Sequence, residues 1–174
     1  FTVGEASDSK EFQVAVPAAK LNIISIAEAI ALAGTEHNVY TTDKYYVQGV
    51  VAEIANGTYG NMYIEDATGR LYVYGTYSAD GAVRFDKLEA QPQVGDIVTL
   101  YGILGAYNGT AQMKNSWIAE YYDVVTLPEA VELAGTDGSY TEKAYTIQGV
   151  VTEIANATYG NLYVSDGTNS FYVY

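Results

Sequence analysis

Between residues 61 and 74 apolar and polar positions alternate with a period of two. Met62 and Ile64 stand against Tyr63 and Glu65, and Leu71 and Val73 stand against Arg70, Tyr72 and Tyr74, with residues 66–69 as the turn. Such alternation sends one set of side chains to each face of a pleated strand, so it predicts two strands with Met62, Ile64, Leu71 and Val73 on the core side. Upstream the period changes. Ile26, Ala29, Ile30 and Ala33 recur at three- and four-residue spacing, which predicts a short amphipathic helix over residues 25–33, capped by Ser25 and stopped by Gly34. A strand follows at residues 45–54, where Gly49 predicts a bulge or sharp bend that lets one long strand serve two sides of a barrel. Residues 84–93 read as a connector holding an irregular or helical segment. Val94-Gly95-Asp96 opens a fourth strand over residues 97–104, joined through residues 105–109 to a fifth over residues 110–118. The expected fold class is mainly β: a small closed five-stranded barrel preceded by a short helix.

The pattern repeats. Residues 48–74, QGVVAEIANGTYGNMYIEDATGRLYVY, align without a gap with residues 148–174, QGVVTEIANATYGNLYVSDGTNSFYVY, one hundred positions later. Differences swap like for like, Met62 for Leu162 and Ile64 for Val164. IAEAIALAGT at residues 26–35 matches LPEAVELAGT at residues 127–136, where Thr126 is the expected cap and Gly135 the stop. A period of about 100 residues suits whole domains in an array, since solenoid repeats are shorter. The expected organisation is therefore residues 1–20 as terminal strands of a preceding unit, residues 21–121 as one complete unit, and residues 122–174 as the helix and first three strands of a second. In that second copy Leu162, Val164, Phe171 and Val173 are expected to lack the fourth and fifth strands that would cover them. At roughly 1.5–3 kcal/mol for each buried side chain, this loss rivals the stability of a domain, about 5–15 kcal/mol. Strand addition from a neighbouring subunit is the expected remedy. Phe12, Val14 and Val16 are the candidate donors, because at a spacing of 101 Phe12 falls on Met113 and Val16 on Trp117. The same three residues equally suit the last strand of a different preceding domain.

The order of elements is similar to the oligonucleotide/oligosaccharide-binding (OB) fold. More narrowly, YYVQGVVAEI, GNMYIEDATGRLYVYG, VGDIVTLYGIL and NGTAQM resemble OB-like domains of secreted and surface lipoproteins from Gram-negative bacteria of the Bacteroides group. The resemblance covers residues 21–121 once and residues 122–174 as a partial second copy. It implies an extracellular or cell-surface module. It also implies a ligand face on the second and third strands, flanked by loops at residues 55–60 and 106–109. Tyr63, Tyr72 and Tyr74 point outward there, joined by Tyr59, Asn61 and Tyr107, and such rings stack on sugars or bases. Alternatively they form cross-strand pairs or cement adjoining units.

Composition narrows the choice. The 174 residues are 49% hydrophobic and include 18 tyrosines, which favours pleated, half-buried surfaces. The net charge is −13 with only eight Lys and Arg, which argues against nucleic acid, a partner held through cationic contacts to phosphate. Zero cysteines exclude disulfides, thiolate-bound zinc and thiol catalysis. No run of 18 apolar residues predicts a spanning helix, so direct membrane insertion of this segment is not expected. Glu65, Asp66, Asp80 and Asp166 read as solvated turn residues rather than calcium ligands, and His37 stands without a second imidazole or thiol. Neither a metal nor a cofactor is expected. No nucleophile is paired with a base and no two carboxylates form a motif, so no catalytic residue is expected. The expected function is that of a non-enzymatic extracellular structural or adhesive repeat protein, self-associating into a filament or surface array by strand complementation. The competing expectation is a glycan-binding module on the tyrosine face.

Overall fold

The computed structural model describes residues 21–135, 141 and 145–174. The expected donors Phe12, Val14 and Val16 lie outside the described residues. The chain is mainly β with a mixed sheet. In order come β1 (Ile23–Ile24), α1 (Ile26–Ala33), β2 (Tyr40–Asn56), β3 (Asn61–Asp66), β4 (Gly69–Tyr77), a 3-10 turn at Phe85–Lys87, β5 (Ile97–Tyr107) and β6 (Thr110–Tyr122). These are followed by β7 (Val124–Val125), α2 (Leu127–Ala134), β8 (Thr146–Ile147), β9 (Val150–Asn156), β10 (Asn161–Ser165) and β11 (Ser170–Val173).

β2 organises the first copy. It pairs antiparallel with β5 between Tyr40 and Val50, then with β3 between Val50 and Asn56. Pairing runs β2–β3–β4–β6–β5, and β5 pairs again with β2; within this succession only β4–β6 is parallel. Gly49 lies where β2 passes from one partner to the other. A Cβ there would stand 2.9 Å from the Glu65 carbonyl oxygen and 3.2 Å from its nitrogen, so glycine is required for close backbone approach. The irregular registers fall at Tyr40/Lys44, Val51/Glu53 and Ile54/Asn56. None of these shifts falls at Gly49 itself, beside which β2 changes partner from β5 to β3.

Met62, Ile64, Leu71 and Val73 are all fully buried, as the alternation predicts, and meet Val47, Val51, Val98, Leu100, Leu104 and Met113. α1 lays Ile26, Ala29 and Ala33 onto this core. Its start is doubly fixed. Ser25 and Glu28 form a reciprocal capping box. Across the sequence, Asp66 accepts the Ile26 N–H at 2.9 Å and Thr68 Oγ1 accepts the Ala27 N–H at 3.0 Å. Burial pushes the Asp66 carboxyl upward, but hydrogen bonds from Ile26, Thr68 and Gly69 to the charged form outweigh it, and the net shift is below the ordinary carboxylate range. Stability from such a group is present above the unfolded value of about 4 and is lost as pH falls through the lower folded value. Asp66→Ala is accordingly expected to cost about 2 kcal/mol at neutral pH and to flatten the acid limb of the stability curve. Denaturant unfolding at pH 7 and pH 3 measures both.

α2 repeats the capping box with Thr126 and Glu129. β10 pairs with β11 as Leu162↔Val173 and Val164↔Phe171, the register of Met62↔Val73 and Ile64↔Leu71. In this copy Asp166 closes its own turn, accepting the Thr168 and Asn169 N–H groups at 2.8 and 2.7 Å.

Candidate functional site

Parallel pairing of β4 with β6 sets Tyr72 opposite Gln112, Val73 opposite Met113 and Tyr74 opposite Lys114. Val73 and Met113 point into the core, so period two sends the other four side chains to the opposite face. Tyr40 from the start of β2 and Tyr107 from the end of β5 complete a cleft of about 380 Å³, with Asn38 at its edge. Gln112, only 6% exposed, donates its Nε2 to the Tyr40 hydroxyl at 2.5 Å. The Lys114 ammonium lies 4.9 Å from the centre of the Tyr40 ring. On the far wall the Tyr107 ring sits 4.9 Å from His37, whose Nδ1 accepts the Asn108 N–H at 3.1 Å and whose Nε2 lies 2.8 Å from the Asn38 amide nitrogen. His37 is thus a clamp on the β5–β6 turn. Tyr74 and Tyr107, which line the cleft, remain 49% and 51% exposed.

The six residues expected on the ligand face divide. Tyr72, Tyr74 and Tyr107 line the cleft. Tyr63 pairs across β3 and β4 with Tyr72, ring centres 5.0 Å apart, and is covered by the Arg70 guanidinium at 4.3 Å. Arg70 is itself held by Glu53 and Glu65 at 2.7 and 2.9 Å. Tyr59 lies under Arg84 at 5.3 Å, away from the cleft; Arg84 is gripped by Asp86, whose carboxyl is held down at about 2 mainly by that hydrogen-bonded guanidinium. Asn61 is a brace, its Oδ1 accepting the Gly75 N–H at 3.0 Å. Burial pushes the Tyr72 phenol above its ordinary range. Gln112 escaped the sequence reading because the parallel β4–β6 join carries no hairpin turn to announce it, and Tyr40 because it lies at the start of β2, ahead of the expected strand. The available signal was Gln112 and Lys114 flanking the apolar Met113.

The residues expected to await completion form a second surface. Val164 is buried, while Leu162, Phe171 and Val173 are half-buried, with α2 packing on β11. Their neighbours on β9 are bare: Val151 is 51% exposed and Ile154 64%, whereas the equivalent Val51 is fully buried and Ile54 partly so.

The cleft offers phenols, amides and one ammonium, a set suited to stacking and hydrogen bonding. Among the described residues there is no group of three side chains placed to hold a metal ion, and no helix long and apolar enough to cross a membrane. No protein-family model matches this chain, and no curated protein matches it at a significant level.

Proposed function

We propose that this is a non-enzymatic extracellular or cell-surface module, structural or adhesive, built of OB-like units and joined to further copies by sheet completion. The exposed apolar residues of β9, Val150, Val151 and Ile154, carry the reading. The first copy supplies the template for what covers them, because the equivalent face is closed by Val98, Leu100, Leu104 and Met113 of β5 and β6. Equal registers and near-equal side chains in the second copy call for a hairpin or strand of the same alternating kind. The OB assignment draws on the pairing order, in which a five-strand succession returns to its first strand through one parallel join. Residues 1–20 of a neighbouring copy are the proposed donor. The test is light scattering across the micromolar range with negative-stain microscopy, on residues 1–174 and on residues 21–174. Oligomers or strings formed by the longer chain and lost from the shorter one are expected; a strictly monomeric longer chain overturns the proposal.

The cleft favours a second reading, glycan recognition. Two half-exposed tyrosine rings and prearranged amide and hydroxyl groups suit a sugar, which needs no positive groove. A chain of net charge −13 is poorly suited to a polyanion.

A further inference from the structure

The positive charges near the tyrosine face are not equivalent. Arg70, Arg84 and Lys87 are ion-paired to carboxylates. Lys44 is capped by the Trp117 ring at 3.4 Å. Lys114 forms no ion pair with any described residue; it is half-buried, faces the cleft, and has the Tyr40 ring 4.9 Å away. That ring is anchored in turn by Gln112, a buried amide, so the ammonium stands on a prebuilt wall rather than on a free surface. In a chain so acidic, with 21 Asp and Glu against eight Lys and Arg, a cation that meets no carboxylate of its own is positioned for one from elsewhere.

Resting on the glycan reading of this cleft, we propose that its ligand is a sugar bearing a single carboxylate, such as a terminal uronic acid. The acid sits against Lys114 and the pyranose ring against Tyr74 or Tyr107. One cation matches one carboxylate. A polyanionic polysaccharide or a nucleic acid, with a charge on every unit, would meet one lysine here and the field of a protein with net charge −13 beyond it. A charged hydrogen bond to Lys114 supplies the preference over the neutral sugar.

The probes are methyl glucuronoside, methyl glucoside and a short single-stranded oligonucleotide, followed by intrinsic fluorescence and saturation-transfer NMR on the 174-residue chain, Lys114→Gln and Tyr74→Ala. Thermal melting confirms that each variant folds. The glucuronoside is expected to bind about tenfold more tightly than the glucoside, with the difference shrinking as salt rises. Lys114→Gln removes that difference, whereas Tyr74→Ala weakens both sugars and keeps their ratio. Equal affinity of the two sugars for the unaltered chain overturns the carboxylate assignment and leaves the glycan reading standing. Binding of neither sugar overturns both. Oligonucleotide binding that Lys114→Gln abolishes also overturns the assignment, in favour of phosphate.

Discussion

Phe85→Ala is expected to lower the stability of the first copy by about 3–5 kcal/mol, a large share of the 5–15 kcal/mol typical of a domain. Phe85 is almost wholly buried although it lies in the long connector between β4 and β5, and its ring closes one end of the core. The ring rests on Gly60, whose φ is +67°, and a Cβ at that position would fall 2.6 Å from it. Glycine is demanded there twice, by backbone conformation and by contact. The Gly60 carbonyl accepts the buried Thr76 hydroxyl at 2.8 Å, and Thr76 is two residues from the cleft-lining Tyr74, so the lock at Phe85 also steadies that end of β4. Gly60→Ala alone is expected to destabilise by overpacking, about 1–3 kcal/mol. The double variant should cost less than the two single costs added, because the new methyl occupies part of the space the ring vacates. Denaturant unfolding of the four proteins measures the cycle. Additive costs would show that ring and glycine are energetically independent.

Phe85 marks the boundary of what the amino-acid pattern revealed. Alternation identified β3, β4 and their core residues Met62, Ile64, Leu71 and Val73, and the cap–helix–glycine pattern identified α1. These signals are local: a period and a terminator suffice to read them. In residues 84–93 one buried aromatic ring acts without period, and only tertiary packing distinguishes it from a solvated loop residue. The cleft was half legible for the same reason. Tyr72, Tyr74 and Tyr107 announced themselves as outward aromatics, but Gln112 and Lys114 reach them through β4–β6, a parallel pairing between strands separated by β5, and Tyr40 arrives from the start of β2. Tyr63 and Arg70 show the opposite limit. Outward direction was correctly read, yet availability to a ligand was decided by a guanidinium arriving from the neighbouring strand. Strand ends were also longer than the pattern implied, because hydrogen-bonded pairing continues past the last alternating side chain, as in β2 and β6.

Val51→Asp is expected to unfold the first copy, while the equivalent Val151→Asp is expected to leave the melting of the isolated chain almost unchanged. The two valines stand one hundred positions apart in matching sequence and pair with Ile64 and Val164 respectively. Chemistry and local structure are thus held constant, and only coverage differs. Around Val51 no water can reach a carboxylate: the side chain is fully buried among Met62, Ile64 and Val98, and an unpaired charge there costs several kcal/mol even after it neutralises. At Val151 half the side chain already faces solvent, so the substitution falls among surface changes of about 0.5 kcal/mol. The asymmetry should invert in the assembled state. If a strand from another copy closes the β9–β11 face, Val151→Asp places its charge in the new interface, and the oligomer should disappear while the monomer's circular dichroism melt persists. Should Val151→Asp instead melt the isolated chain as Val51→Asp does, that face is already covered within a single molecule and the completion proposal fails. A harmless Val151→Asp that leaves oligomers intact would place the contact between copies elsewhere, since no closed apolar face tolerates a buried carboxylate at its centre.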